Sequence, residues 1–193
     1  APDAPAAWAE ITAGCRSPQS YAAALRVSGR VGGQRVWPVN IEAAVLADDS
    51  IYLGATAAGR ALFVLAGTGD RATLWLRREQ RTVTAAPADI MEAIVGVPLS
   101  PSDLLAVLTG CVTRSLDIAH AARHGGLVTV ETADARVHLE RRGGRWQIRA
   151  AETKAFTVEY AAATGPLPQE LWLWPAGSLS SSASIHLTVS DPQ

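Results

Sequence analysis

The stretch GVPLSPSDLLAVLTG, Gly96 to Gly110, stops one short helix and starts another in the middle of an otherwise β-patterned chain. Gly96 can take the left-handed conformation that ends a helix, and Pro98 prevents its continuation. Ser100 suits an N-cap, Pro101 the first helical position, and Asp103 the first turn, where the helix dipole favours a carboxylate. Leu104, Leu105 and Leu108 recur at helical spacing, and Gly110 ends the run. Ile90 and Ile94 supply the apolar positions of the helix before Gly96. An apolar helix pair set between strand patterns predicts a lid over a sheet, spanning about residues 88–110.

On both sides of this stretch the apolar period is two. Leu25, Val27 and Val31 alternate with Arg26, Ser28 and Arg30. Trp37, Val39, Ile41, Ala43 and Val45 repeat the pattern, with Pro38 predicting an edge or a bulge early in that strand. Asp48-Asp49-Ser50 supplies a turn before Ile51-Tyr52-Leu53, and residues 60–67 and 71–77 meet at the hairpin signal Gly67-Thr68-Gly69-Asp70. A shorter strand, 81–84, leads into the lid. Beyond the lid, 127–131, 135–141 and 145–150 form a meander with Arg142-Gly143-Gly144 as a tight turn. Strands follow at 156–160, 171–174 and 185–189. Residues 5–14, with Trp8 and Ile11, suit a short helix, and 115–124 reads as strand or helix. Connections this short predict antiparallel pairing.

Composition narrows the function classes. The formal net charge is −1, from 17 basic and 18 acidic residues. That balance argues against a general nucleic-acid binder. Hydrophobic residues reach 48% against 18% charged, yet no apolar run approaches the ~20 residues of a membrane span. The 193 residues carry no linker-like stretch, so one domain over 1–193 is expected. The opening, APDAPAAW, has no signal-peptide character and resembles a processed or truncated start. Cys15 and Cys111 suit either a disulfide tying the N-terminal helix to the end of the lid or two buried thiols; they are not a metal motif by themselves.

Several strands are apolar on both faces: 61–65, Leu74-Trp75-Leu76 and Leu171-Trp172-Leu173-Trp174. One reading is a sheet covered on both sides. The other is a curved sheet whose concave face lines an apolar cavity, the kind of site that holds lipidic ligands.

Catalytic motifs are missing. There is no GxSxG elbow, P-loop or GxGxxG after a strand, and GRVGG marks a bend. His120 and His124 have the i, i+4 spacing of two ligands on a helix face, but no third ligand is evident and exposed histidines explain them. Asp48-Asp49 and Asp89–Glu92 are explained by turn chemistry and a helix first turn. Arg77-Arg78 and Arg141-Arg142 end strands and read as solvated faces that can also meet a lipid headgroup. Neither enzyme, metal nor cofactor is expected.

A curved antiparallel sheet with short helices inserted mid-sequence resembles the LolA/LolB lipoprotein carriers and their relatives. The resemblance rests on Gly96, Pro98, Leu99, Leu104, Leu105, Leu108 and Gly110, on the hairpin Ile51 to Leu65, and on PQELWLW, Pro168 to Trp174. It implies a strongly curved incomplete barrel that binds acyl chains of lipids or lipoproteins in an apolar cavity, as a monomer in the periplasm. The family's outer-membrane branch has a protruding leucine in the hairpin turn, whereas Ala55 to Gly59 has none. That branch also begins with an acylated cysteine; this sequence opens on Ala1, so outer-membrane anchoring would rest on a residue ahead of it. Alternation on the strands and helical spacing on the lid predict a ligand site of Val27, Val39, Ile41, Leu53, Leu62, Val64, Leu74, Leu76, Ile94, Leu104 and Leu108. The competing expectation is an envelope protein-interaction module with a filled core and no lipid.

Overall fold

The alternating segments become strands β1 (Tyr21–Val31), β2 (Gln34–Val45), β3 (Ser50–Ala57), β4 (Arg60–Thr68), β5 (Arg71–Leu76) and β6 (Arg81–Ala85) before the helices. After them come β7 (His120–His124), β8 (Leu127–Glu131), β9 (Ala135–Arg142), β10 (Arg145–Thr153), β11 (Phe156–Tyr160), β12 (Glu170–Pro175) and β13 (Ser184–Ser190). Helix α1 (Ala4–Thr12) opens the chain, and α2 (Pro87–Val95) and α3 (Pro101–Thr109) form the central pair. This is a computed structural model that describes residues 2–15, 20–161, 165, 167–177 and 183–190.

All thirteen strands join one antiparallel sheet in the order β6-β5-β4-β3-β2-β1-β13-β12-β11-β10-β9-β8-β7. It is not closed into a barrel. The chain meanders outward from β1 to one edge at β6, resumes at the opposite edge at β7, and meanders back until β13 pairs with β1. The segment between the edges must therefore cross the sheet, and α2 and α3 lie on that crossover. Their mid-sequence position follows from the topology.

Register sets which face each residue occupies, because directly opposed residues of an antiparallel pair share a face. Val39, Val27, Leu187 and Leu171 are aligned across β2, β1, β13 and β12. Leu53, Leu65 and Leu74 are aligned across β3, β4 and β5, and Val130, Val137 and Ala151 across β8, β9 and β10. This concave face is apolar from edge to edge, and its buried members form one core with the helices. Pro38 falls where Val27 faces Val39 but Gly29 faces Val36, so β2 carries an extra residue there. The proline marks a bulge in an internal strand.

Candidate functional site

Three helices cover the concave face. α1 packs on β8 and β10, α2 on β5, and α3 on β1 and β2. α3 starts on a capping box: Ser100 Oγ accepts from the Asp103 amide at 3.1 Å, and Asp103 Oδ2 accepts from the Ser100 amide at 3.0 Å. Both lid helices end on left-handed glycines, Gly96 (φ 77°) and Gly110 (φ 78°). At Gly96 a Cβ would come within 2.8 Å of the Ala183 Cβ, so the close approach as well as the turn requires glycine there.

The lid inserts its apolar stripe into the face. Ile90, Met91, Val97, Leu99, Leu104, Val107 and Leu108 are all buried, while Leu105 and Ile94 are half-buried. The end of α3 is pinned to the far half of the sheet. Tyr160 Oη, on β11, donates to the Val107 carbonyl at 2.9 Å. That carbonyl belongs to the last turn, whose acceptors have no partner within the helix. Burial pushes the Tyr160 phenol well above its ordinary range, so it stays a donor. Beyond α3, a disulfide joins Cys15 to Cys111, and Trp8 Nε1 donates to the Leu116 carbonyl at 2.7 Å. Asp134 then clamps the chain leaving the lid: its carboxylate accepts from the Thr113 hydroxyl at 2.5 Å, the Thr132 hydroxyl at 2.9 Å and the Arg114 amide at 2.7 Å. Partial burial raises the Asp134 pKa, but these hydrogen bonds outweigh it and hold the carboxyl below its ordinary value.

Val27, Ile41, Leu53, Leu74, Leu104 and Leu108 are buried in this core, with Val39, Leu76 and Ile94 packed at its margins. Two expected members are elsewhere. Val64 pairs with Gly54 and Trp75 on the face opposite Leu65, and Leu62 is the extra residue of a β4 bulge, 36% exposed. Phe63 and Leu65 take their place. A doubly apolar strand has no alternation to fix its register, so its inward set is decided by the neighbouring strands and by the bulge at Leu62. Two outer tryptophans of these strands are capped by polar side chains: Arg77 stands over Trp75 at 4.6 Å, and His186 stacks on Trp172 at 5.0 Å.

The sequence analysis also missed the far half of the face, where Val128, Val130, Val137, Leu139, Leu171 and Leu173 are buried. Their period-two alternation is the signal that identifies them, and the strand order is what brings them onto the same face as Val27 and Leu53. His120 and His124 lie on β7 and are exposed. As i, i+4 neighbours on a strand they are about 13 Å apart, too far to share a metal ion. Among the described residues, no group of three or more His, Cys, Asp or Glu side chains could hold a metal. No helix among them is long and apolar enough to cross a membrane.

Two open pockets flank the disulfide. One, about 900 Å³, lies between α3 (Asp103, Leu105, Thr109) and Val112, Lys154 and Phe156. The other, about 680 Å³, lies between the end of α1 and Trp146, Ile148 and Leu167. Neither is lined by any of the eleven expected ligand residues. Tyr21 Oη, on the concave face, is buried and has no hydrogen-bond partner among the described residues.

No family model and no curated protein matches the sequence. Solved structures do match. A LolA superfamily protein from Nitrosomonas europaea superposes with a TM-score of 0.57 at 10% identity, over 96% of this chain and 91% of that one. A domain described as an outer membrane lipoprotein-sorting protein, from Vibrio parahaemolyticus, gives 0.54 at 10% identity over 90% and 84%. A DUF1329 family protein from Desulfovibrio piger gives 0.57 at 10% identity over 99% and 92%. The chain has the LolA-like fold. At 10% identity the likeness is one of backbone; the LolA-like sheet is filled here by this chain's own set of apolar side chains.

Proposed function

We propose that this chain is a non-enzymatic carrier that takes acyl chains of lipids or lipoproteins onto the concave face, beneath α2 and α3. The observation that carries the reading is an apolar face that runs across the whole open sheet and is covered by short helices. Helices of nine residues are below the length that is stable alone and depend on the packing of their apolar stripe. An acyl chain offers the same face an equivalent partner. Each buried methylene contributes about 0.8 kcal/mol, so ten offer roughly 8 kcal/mol toward displacing the lid side chains. The ligand would contact Val27, Ile41, Leu53, Leu65, Leu74 and Leu104, and the Tyr21 hydroxyl, without a partner among the described residues, would meet an oxygen at the polar end of the lipid.

The likeness to a lipoprotein-sorting domain and a LolA superfamily protein supports this reading. With it go a periplasmic or outer-membrane-associated location, a single domain over 1–193 and a monomeric carrier. The test is native mass spectrometry with lipid extraction on protein purified from a membrane-containing host. Co-purifying lipid is expected. Changing Ile41 or Leu104 to Asp should abolish binding of an environment-sensitive hydrophobic dye while circular dichroism stays native. Lipid-free protein with dye binding unchanged in both folded variants would instead favour a protein-docking module with a permanently filled core.

A further inference from the structure

The antiparallel meander places the β1–β2, β3–β4 and β5–β6 turns at one end of the sheet and the β2–β3 and β4–β5 turns at the other. In this half of the sheet, β1 to β6, the two ends differ in charge. The first carries Arg30, Arg35, Arg60, Arg77, Arg78 and Arg81, all exposed, with Glu79 as the carboxylate of these three turns. The second carries Asp48, Asp49 and Asp70, with Asp89 just beyond β6, against Arg71. Six of the sixteen arginines of a chain whose net charge is −1 thus lie along this rim, while Arg141, Arg142 and Arg145 cluster at the β9–β10 turn, at the opposite end of the other half of the sheet. Among the described residues none of the six has a carboxylate partner.

Exposed aromatic rings sit at the same rim. Trp37 is 73% exposed on the part of β2, residues 34–39, that extends past its pairing with β3; Trp75 is 37% exposed at the end of β5. Each ring has an arginine over it, Arg35 at 5.3 Å from Trp37 and Arg77 at 4.6 Å from Trp75. The arginine covers the ring and is itself exposed. Leu62, at the β4 bulge, adds apolar surface between them.

We propose that this rim is a docking surface for an anionic lipid bilayer, with the arginines on headgroup phosphates and Trp37 and Trp75 at the headgroup level. Arginine binds phosphate through a planar fork, and tryptophan prefers the boundary where one side is apolar and the other wet. Turn tips strung along the rim of a sheet present an array suited to a surface more than a groove suited to a peptide. The Val31 end of β1 and the Gly96 joint of the lid meet at this rim, so docking brings the lid joint to the bilayer. Docking of this kind depends on charge and exposure and needs no cargo on the concave face.

Flotation with vesicles tests it. Wild type is expected to bind vesicles containing phosphatidylglycerol, to release from them at high salt, and to ignore pure phosphatidylcholine. The triple variant Arg35→Ser, Arg77→Ser, Arg78→Ser should bind about 100-fold more weakly, at roughly fivefold per arginine. Arg71→Ser, at the opposite end, should bind like wild type. Trp37→Ala should weaken vesicle binding with all six arginines in place. Equal binding to neutral vesicles, or full binding by the triple variant, overturns the proposal. Binding to soluble polyglutamate without binding to anionic vesicles also overturns it, and assigns the rim to an acidic protein.

Discussion

Tyr160→Phe isolates one polar contact that holds the lid on the sheet. The phenylalanine keeps the ring and its packing, so no cavity opens. What disappears is the donor to the Val107 carbonyl, 2.9 Å away. Val107 is fully buried and Tyr160 is 3% exposed, so water cannot replace the hydroxyl while the lid is closed. A buried acceptor left unsatisfied costs about 1–3 kcal/mol. Opening of α3 frees that carbonyl to water, so the cost falls on the closed state and the opening equilibrium rises; at about 1.4 kcal/mol it rises tenfold.

Hydrogen exchange resolved by mass spectrometry should show residues 101–109 exchanging about tenfold faster in the variant, with β1 and β13 unchanged. Uptake of a fluorescent fatty acid should speed up with it. Unchanged protection over 101–109, or equal acceleration in the central strands, would refute the idea that this contact governs the lid. An alkaline signature accompanies it. Burial raises the folded-state pKa of Tyr160, so its stabilising preference for the neutral form is fully present below the unfolded value of about 10 and is lost as pH rises above it. The variant should lack that share of the alkaline loss.

Three further outcomes are expected. Tyr21→Phe removes a buried hydroxyl that has no partner among the described residues, so thermal stability should stay level or rise while affinity for a free fatty acid falls; a drop in stability would show that the hydroxyl has a structural partner. Replacing Cys15 and Cys111 by serine opens a cross-link with a sequence separation of 96, for which the chain-entropy model gives up to about 4–5 kcal/mol; denaturant titration measures it, and two alkylatable thiols in untreated protein would contradict the bridge. Asp134 has a lowered pKa, so its contribution is present above the unfolded value of about 4 and is lost as pH falls through the folded one; Asp134→Asn should be less stable at pH 7 and should flatten that acid limb in thermal melts.

The sequence announced the fold where residue chemistry and position agreed. Gly96, Ser100, Pro101, Asp103 and Gly110 each have one low-cost role at a helix end, and all five occupy it. Strands with one polar face, such as Arg26 and Ser28 beside Leu25 and Val27, declare their inward side. The site was less legible where both faces are greasy. In β4, Leu62, Phe63, Val64 and Leu65 differ in burial because of a bulge and a register set by Leu53 and Leu74 on neighbouring strands, and neither is written in β4 itself. Residues 115–124 carried too little periodicity to choose between helix and strand; pairing with β8 decides it, as His120 faces Glu131 and His124 faces Leu127. The arginine rim needed the strand order, since Arg30, Arg60 and Arg81 are far apart until the meander stacks their turns.

The same meander makes the lid asymmetric. The crossover is tethered at both edges of the sheet, but its second half carries nearly all the fastenings. α3 is held by Tyr160 at Val107 and by Arg114 at Ser102, and the chain after it by the Cys15–Cys111 bridge and the Asp134 clamp. Among the described residues, α2 has no side-chain hydrogen bond, ion pair or covalent link to the sheet; it rests on Ile90, Met91 and half-buried Ile94 and Val95. Apolar contacts lack direction and re-form on any apolar partner, including an acyl chain. The physical consequence is that α2 can exchange its contacts for ligand at little cost, while α3 must break hydrogen bonds to move. The helix expected to yield, α2, is the one whose C-terminal joint, Gly96, lies beside Val31 at the arginine rim. The proposed entry of an amphiphile and the proposed docking on a bilayer would therefore converge on one end of the sheet, the first through apolar burial and the second through charge.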